Sequence, residues 1–252
     1  MGHKIIPMQA SGHRVALITG AARRVGRAIA LTLADAGFDI AFTYLSSAPE
    51  AQNLLEELRA KGRSALAIRA DLTDPVAAVQ TIRAQFVQPF DRLDVLVNNA
   101  SLYEPSGLGD TDVAQMRRLW AIHVESPLLL CRAFFPFLKS SRGHVVNMVD
   151  LLAQRPAPPY LAYAASKAGL WNLTLGLAAE MAPEVTVNGI APGVVEWPED
   201  FPEPRKAEYL RRVPLGRAGT PQDVAAAVLF FCTDATYVTG QILRLDGGRS
   251  IA

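Results

Sequence analysis

The feature that most constrains the fold is an alternation, along the whole chain, between short apolar runs and longer helical patterns. Continuous runs of Val, Ile and Leu indicate strands that are buried on both faces, as in a parallel sheet. Such strands are predicted to begin at Val15, Phe38, Ser64, Asp94, His144, Val185 and Gln241. The alternation predicts one doubly wound α/β domain spanning residues 1–252.

Composition and charge exclude several classes of protein. Of 252 residues, 50% are hydrophobic and 19% charged, which indicates a globular chain, and the net charge of +1 indicates no nucleic-acid or membrane partner. Cys131 and Cys232 lie in apolar helical patterns, so we expect reduced, buried thiols and no disulfide. Because no apolar stretch is long enough to span a membrane and residues 1–12 form only a loose lead-in, we expect a cytoplasmic enzyme. We predict no metal site.

The segment Thr19-Gly-Ala-Ala-Arg-Arg-Val-Gly26 joins the first strand to the first helix. A helix N-terminus exposes unpaired amides and a partial positive charge, so a pyrophosphate binds there readily. Gly20 permits the tight turn, and Gly26 lets the helix pack close to the sheet. We therefore predict a dinucleotide-binding turn.

Two adjacent arginines in this turn favour NADPH. An NAD site usually has a carboxylate after the second strand to hold the ribose 2′-hydroxyl. Here that strand ends in Tyr44-Leu-Ser-Ser47, and the first acid is Glu50. Hydroxyl groups and the guanidinium of Arg23 or Arg24 suit a 2′-phosphate better. The alternative is that both arginines are ordinary solvated side chains at a helix start.

Tyr163 and Lys167 are four residues apart in a helical pattern, on one helix face. A nearby ammonium favours the phenolate, so the tyrosine can move a proton near neutral pH. The pair opens the helix after the fifth strand, beside the carboxyl ends of the strands, where doubly wound folds bind ligands. We predict that both residues are catalytic.

With the turn, this pair resembles the short-chain dehydrogenase/reductase family. Three further segments agree with it: Asn98-Asn-Ala100, Asn188-Gly-Ile-Ala-Pro-Gly193, and Thr239-Gly-Gln with Asp246-Gly-Gly248. The resemblance covers nearly the whole chain, and it implies a Rossmann-like, mostly parallel seven-stranded sheet flanked by helices and, usually, a homotetramer. It also implies that Tyr163 donates the proton, while Lys167 holds the nicotinamide ribose and tunes the tyrosine.

Two departures from the family pattern resemble its pteridine reductase branch. The family normally has serine 13 positions before the tyrosine, where this chain has Asp150 within Asn147-Met-Val-Asp150. It normally has a middle glycine in the turn, where this chain has Arg24. In that branch, the segment that reads Asn98-Asn-Ala-Ser101 here leads to an aromatic residue, Tyr103 in this chain, that holds the pterin against the nicotinamide. The resemblance thus implies a pterin or folate-like substrate.

The resemblance, with the placement of each residue, also assigns the site. The catalytic residues would be Asp150, Tyr163 and Lys167. The residues expected to bind NADPH are Gly20, Arg23, Arg24, Val25, Tyr44, Ser46, Ser47, Asp71, Leu72, Asn98, Ala100, Ser101, Tyr163, Lys167, Pro192, Gly193 and Val194. The residues expected to contact substrate are Arg24, Ser101, Tyr103, Asp150, Tyr160 and Tyr163. Arg24 and Ser101 would touch both cofactor phosphate and pterin, Ser47 the 2′-phosphate, and Asp71 and Leu72 the adenine.

The chemistry of position 150 points the same way. A serine hydroxyl can donate a hydrogen bond to a ketone oxygen, whereas an ionised carboxylate only accepts. Beside a carbonyl gaining negative charge, a carboxylate would repel the transition state. A pteridine instead offers ring N–H and amino donors, and its C=N bonds need a proton on nitrogen. Asp150 therefore argues for a nitrogen heterocycle, the alternative being a structural Asp that caps the next turn.

Two regions stay open. His123 stands where the family commonly has an asparagine that helps to hold a water in the proton relay, so this histidine either substitutes for it or is structural. We leave it outside the catalytic set. Residues 194–213 occupy the segment that usually closes over substrate in this family. They form either a lid, with Trp197 and Phe201 closing the pocket, or a surface loop whose aromatic residues pack on the body.

The main hypothesis is NADPH-dependent reduction of dihydropteridines, with dihydrofolate as a further candidate, to the tetrahydro form. Nicotinamide delivers hydride to a ring carbon, and Tyr163, with Lys167 and Asp150, supplies the proton to nitrogen. One alternative is a short-chain carbonyl or 3-oxoacyl-carrier-protein reductase, which Asp150 disfavours. A second is a non-catalytic NADPH-binding regulator that has kept the fold, against which Tyr163 and Lys167 argue.

Overall fold

A computed structural model describes residues 12–197 and 201–252. The predicted lead-in, apart from Gly12, and residues 198–200 of the 194–213 segment lie outside these ranges. The strands are β1 (Val15–Ile18), β2 (Asp39–Tyr44), β3 (Ala65–Arg69), β4 (Val95–Asn98), β5 (His144–Met148), β6 (Thr186–Pro192) and β7 (Ile242–Leu245). The α-helices are α1 (Arg24–Asp35), α2 (Ala48–Ala60), α3 (Pro75–Phe86), α4 (Val113–Trp120), α5 (Ser126–Ser141), α6 (Leu161–Met181), α7 (Glu203–Leu210) and α8 (Pro221–Thr233).

The seven strands form one sheet in the order β3-β2-β1-β4-β5-β6-β7, and every described pair is parallel. From β1 the chain adds β2 and β3 on one side of the sheet, and from β4 it adds β5, β6 and β7 on the other side. The connections on either side of β1 and β4 therefore diverge, which opens a crevice at the carboxyl ends of these two strands. The predicted Rossmann-like sheet of seven strands is confirmed.

Both faces of the sheet are covered, which explains why the strands are continuously apolar. In β1, Ala16 and Ile18 pack on one face with α1, α2 and α8, while Val15 and Leu17 pack on the other with α3, α5 and α6. All four side chains are at most 1% exposed. The two cysteines are free and buried in these two layers, as expected.

The predicted long helix between β4 and β5 is continuous but not regular. A π-helical turn at Ala121–Glu125 separates α4 from α5, and Pro136 lies inside α5. By length and composition alone, Val113–Ser141 could span a membrane, with a mean hydropathy of 1.3 over its most apolar window. Half of that window is buried within the fold, as expected for a helix of a protein interior.

One element departs from the sequence prediction. The stretch from Pro192 to Val213 shows no clear periodicity, yet it contains α7. None of its side chains is fully buried, so it lacks the apolar stripe on which periodicity depends. It is supported instead by the surface ion pairs Glu203–Lys206 and Glu208–Arg212.

Candidate active site

The turn between β1 and α1 lies at the crevice and is held by the end of β4. Gly20 has φ +65°, and a Cβ placed there would come within 2.9 Å of the Ala100 Cα. The Asn99 amide donates to the Thr19 and Gly20 carbonyl oxygens at 2.8 and 3.1 Å. The close approach of Ala100 therefore requires glycine at position 20, and the turn is fixed in place by Asn99.

The first turn of α1 is prepared for an anion. Its N-cap residue, Arg23, makes no side-chain capping bond, and the first turn contains no acidic residue. The helix amides are therefore uncapped by any described side chain, and the dipole favours negative charge there. A pyrophosphate fits this donor set, so the residues present are suited to a dinucleotide.

Arg24 takes a position that the sequence did not predict. Its φ is +53°, in the left-handed region that glycine adopts more easily. Its guanidinium binds Glu196, with Nε 2.5 Å from the carboxylate Oε2 and Nη2 3.2 Å from the main-chain oxygen. Arg24 therefore joins the phosphate turn to the segment after β6, and the predicted contacts with phosphate and pterin stay predictions.

Arg23 instead faces the first turn of α2. Its Nη1 lies 3.7 Å from the Glu50 carboxylate, and both side chains are largely exposed. Ser47 is the N-cap residue of α2, but its hydroxyl makes no capping bond. Tyr44 ends β2, and Ser46 follows in the same loop. The Arg23 guanidinium thus lies at the N-terminus of α2, whose N-cap hydroxyl makes no capping bond. This combination suits a phosphate that displaces Glu50 from the guanidinium.

At the end of β3, Asp71 and Leu72 occupy the place expected for adenine contacts. The Asp71 carboxylate accepts from the Thr73 amide and hydroxyl at 2.9 and 2.7 Å. Leu72 is 6% exposed, and its carbonyl accepts from Ser126 at 2.8 Å. Both residues therefore carry structural hydrogen bonds whether or not a base binds beside them.

Asp150, Tyr163 and Lys167 come together after β5. The Tyr163 hydroxyl donates to Asp150 Oδ2 at 2.8 Å. Asp150 Oδ1 accepts from the Leu152 amide at 2.7 Å, so the capping role and the contact with Tyr163 coexist in one carboxylate. Lys167 is 2% exposed and donates from Nζ to the Met148 carbonyl oxygen at 2.8 Å. The three predicted catalytic residues therefore share one cluster.

Burial dominates the electrostatics of this cluster. It raises the pKa of Asp150, and it lowers the pKa of Lys167 to about 8. Burial, followed by the nearby Asp150 carboxylate, raises the pKa of Tyr163 well above 10. The predicted lowering of the Tyr163 pKa by Lys167 is wrong here, because Nζ lies 5.8 Å from the ring centroid and donates elsewhere. Tyr163 is thus held protonated, as a proton donor must be.

The aromatic residues predicted to contact substrate form one group. The Tyr103 and Tyr160 rings stack with centroids 4.4 Å apart, and Tyr103 meets Tyr163 edge-on at 4.9 Å. Tyr103 is 55% exposed, so one part of this group faces solvent. A flat ring of substrate can stack on such a surface, as aromatic side chains do on each other.

The segment after β6 packs on this site through Tyr209, a residue that sequence reasoning missed. Its hydroxyl accepts from the Val194 amide at 3.1 Å, and its ring meets Trp197 edge-on at 5.4 Å. Trp197 in turn packs against Phe201 at 4.8 Å. Of the predicted cofactor residues, Pro192 ends β6, and Gly193 and Val194 follow it beside the Tyr209 hydroxyl. Because α7 lacks periodicity, only the clustering of aromatic residues could have indicated Tyr209.

Asn98, another predicted cofactor residue, turns its side chain into the sheet. The amide donates to Asn147 Oδ1 at 2.7 Å, and Asn147 donates to Thr174 at 2.9 Å. Asn98 is 4% exposed, and its Oδ1 atom has no hydrogen-bond partner among the described residues. Any contact of Asn98 with a cofactor therefore belongs to its main chain.

His123 lies directly behind the cluster, which the sequence left open. It is 1% exposed and meets the Tyr163 ring edge-on with centroids 5.4 Å apart. Its two ring nitrogens each lie 2.8 Å from a serine hydroxyl, Nε2 from Ser101 and Nδ1 from Ser166. His123 thus links two neighbours of Tyr163 that are distant in sequence.

Known proteins are similar to this chain over nearly its whole length. The family model described as enoyl-(acyl carrier protein) reductase matches residues 20–250. The chain is 33% identical over 242 residues to the 3-oxoacyl-[acyl-carrier-protein] reductase FabG of Staphylococcus aureus, covering 92% of this chain and 96% of that protein. It is 34% identical over 246 residues to the 3-oxoacyl-[acyl-carrier-protein] reductase of a Synechocystis species, covering 96% and 98%.

Solved structures give the same result. A blue fluorescent protein from a metagenomic library, in complex with NADPH, superposes with a TM-score of 0.88 at 36% identity, over 94% of this chain and 98% of that one. A short-chain dehydrogenase/reductase of Serratia marcescens superposes with a TM-score of 0.88 at 32% identity, over the same shares.

Proposed function

Because this chain belongs to the short-chain dehydrogenase/reductase family of oxidoreductases, we propose that it is an NADPH-dependent reductase of pterins. It would reduce a dihydropteridine, or the related dihydrofolate, to the tetrahydro form. One observation carries the proposal: a carboxylate, that of Asp150, lies 2.8 Å from the Tyr163 hydroxyl. A group that accepts hydrogen bonds there suits a ring that offers N–H donors.

When bound, NADPH would supply a hydride to a ring carbon of the substrate. The chain supplies the proton for the neighbouring nitrogen from the Tyr163 hydroxyl, so that hydride and proton together saturate the C=N bond. The Asp150 carboxylate accepts a hydrogen bond from the Tyr163 hydroxyl at 2.8 Å, and this contact holds the hydroxyl in place for the transfer. The Lys167 ammonium is buried in the same cluster, where its positive charge favours the ionised form of Asp150.

The substrate proposal is tested with purified protein and a panel of acceptors. We expect NADPH oxidation with a dihydropteridine and little with a 3-oxoacyl thioester. Asp150→Ser should lower kcat/KM for the pterin by at least tenfold, while the Kd for NADPH stays nearly unchanged, because Asp150 faces the substrate side. Faster pterin reduction by this variant would contradict the role given to the carboxylate. Any steady turnover would also exclude the non-catalytic regulator.

A second candidate has a specific observation in its favour. The two relatives named above are 3-oxoacyl-[acyl-carrier-protein] reductases, at 33% and 34% identity over nearly the whole chain. Turnover of the thioester alone would support this function over pterin reduction. Asp150 argues against it, because a carboxylate beside a ketone oxygen opposes the charge that develops there.

We assign the 2′-phosphate of NADPH to the pocket at Arg23 and Ser47. Arg23→Ala should weaken NADPH by about tenfold to a hundredfold and NADH by much less, because one charge-assisted hydrogen bond is lost. Arg27 offers a matched control, since it also makes an ion pair from α1 to α2, with Glu57. Fluorescence titration of both cofactors measures the constants. Equal losses for NADPH and NADH in Arg23→Ala would place the 2′-phosphate elsewhere.

We propose a homotetramer, the assembly that the family resemblance implies. Trp120, Leu128 and Leu175 are between 41% and 45% exposed on α4, α5 and α6 and would contribute apolar contacts between subunits. Light scattering after gel filtration gives the mass directly, and a monomer at micromolar concentration would contradict the assembly.

A further inference from the structure

A chain of hydrogen bonds runs behind the active site through His123. The Ser101 hydroxyl lies 2.8 Å from Nε2, and the Ser166 hydroxyl lies 2.8 Å from Nδ1. Ser166 Oγ in turn lies 2.7 Å from the Tyr163 carbonyl oxygen. Ser101 is also within hydrogen-bonding reach of the Tyr163 hydroxyl.

The number of available protons fixes the tautomer of His123. A serine hydroxyl has one proton, and that of Ser166 is used on the Tyr163 carbonyl oxygen. Ser166 can therefore only accept from the ring, so Nδ1 must carry the proton. The ring is neutral, because burial, and then the positive charge of Lys167, hold the pKa of His123 well below 6.5. Nε2 is left as an acceptor.

This tautomer determines what Ser101 can offer a ligand. Its single proton points to Nε2, away from Tyr163, so its oxygen presents only lone pairs to the active site. The main-chain oxygen of Leu102, at 3.4 Å, is a weaker competitor for that proton. Ser101 thus joins Asp150 as a group that accepts hydrogen bonds beside the Tyr163 hydroxyl.

The backbone supports this arrangement independently. His123 lies in the π-helical turn Ala121–Glu125, between the regular helices α4 and α5. Such single π turns within α-helices are uncommon and are frequently found at functional sites. Here the irregular turn carries a ring that contacts Ser101, Ser166 and Tyr163 together.

We propose that His123 determines substrate specificity by locking the Ser101 hydroxyl as a hydrogen-bond acceptor, so that the site selects substrates with N–H donors. The proposal rests on the proposed pterin reduction and extends it from Asp150 to a second acceptor. A pterin edge carries ring N–H and amino donors that can satisfy both groups. A ketone carries none, and it would leave the Ser101 oxygen without a partner.

The tautomer is tested directly in protein labelled with ¹⁵N in histidine. Proton–nitrogen correlation spectra distinguish the two neutral tautomers and the imidazolium, and the His123 signals are those missing from His123→Gln among the four histidines. We expect the neutral form protonated on Nδ1 at neutral pH. An imidazolium, or a ring protonated on Nε2, would overturn the proposal, because Ser101 would then be free to donate.

The action through Ser101 is tested by a double-mutant cycle on dihydropteridine reduction. Ser101→Ala and His123→Phe should each lower kcat/KM by about tenfold, and the double variant should lose no more than Ser101→Ala alone. His123→Gln places an amide oxygen near Ser101 and should recover activity to within about threefold of the original. Additive losses in the double variant, or no rescue by glutamine in a folded protein, would overturn the proposal.

The two experiments separate this inference from the proposed function. If no pterin is reduced, the proposed function fails, whereas the tautomer experiment still decides how the Ser101 proton points. If pterins are reduced but the losses are additive, the proposed function stands and the role of His123 is wrong.

Discussion

Replacing Gly26 by alanine gives a sharp test of how the phosphate turn is built. A Cβ at this position would lie 2.5 Å from the Gly20 carbonyl oxygen, 2.6 Å from Asn99 Nδ2 and 2.7 Å from the Ala21 Cα. Two of these atoms belong to the main chain of the turn, and the third is the amide that holds it. The turn must therefore move by almost an ångström to restore ordinary contact.

The size of the effect follows from three contributions. Overpacking costs about 1–3 kcal/mol, and weakening of the Asn99 hydrogen bond to Gly20 costs about 1 kcal/mol. The helix propensity of alanine offsets up to about 1 kcal/mol of this. We expect a net loss of about 2 kcal/mol in the free energy of unfolding, equivalent to a Tm lower by roughly 4–8 °C for a chain of this length.

The matched control is Gly176→Ala in α6, where a Cβ meets nothing within 4 Å. That variant should gain up to about 1 kcal/mol, because alanine favours the helix. Thermal unfolding, measured with and without NADPH, reports both effects in one assay. Gly26→Ala should also lose most of the stabilisation by NADPH, because the displaced turn is the predicted phosphate site. A Gly26→Ala protein with unchanged Tm and cofactor affinity would refute this account of the turn.

Two further perturbations test the surroundings of the site. The pKa of Lys167 is lowered to about 8, so its ammonium is present below that pH and lost above it. We therefore expect kcat/KM for the pterin to fall as the pH rises through about 8. A flat profile from about pH 7 to about 9.5 would contradict this. Asp94→Ala should destabilise the protein by about 3 kcal/mol, because the buried carboxylate binds Arg92 and the Val15 amide. Asp35→Ala should change the stability little, because its ion pair with Lys61 is exposed. Equal Tm values for the two variants would refute this difference.

The sequence predicts the elements whose cause is local. The apolar run Val15–Ile18 and the turn before Gly26 indicate a strand, a bend and a helix without any distant partner. The four-residue spacing of Tyr163 and Lys167 places both on one face of a helix, and the structure brings them to Asp150. Such features depend on periodicity and on the order of elements, which a single sequence contains.

What the sequence does not predict depends on contacts between distant segments. His123 is 22 positions from Ser101 and 43 from Ser166, so no local pattern shows that it joins them. Arg24 binds Glu196, which is 172 positions away, so its guanidinium is not free for phosphate as the sequence predicts. The sequence also does not predict the raised pKa of Tyr163, because that shift is caused by burial and not by Lys167.

The bond between Arg24 and Glu196 bears on the order in which ligands associate. An anion that takes the guanidinium must displace the Glu196 carboxylate, and this releases the segment that begins at Val194 and packs through Tyr209. Occupation of the turn and rearrangement of that segment are therefore thermodynamically linked, and each favours the other. We therefore expect the dinucleotide and a ligand held by that segment to bind cooperatively, each lowering the Kd of the other by the same factor.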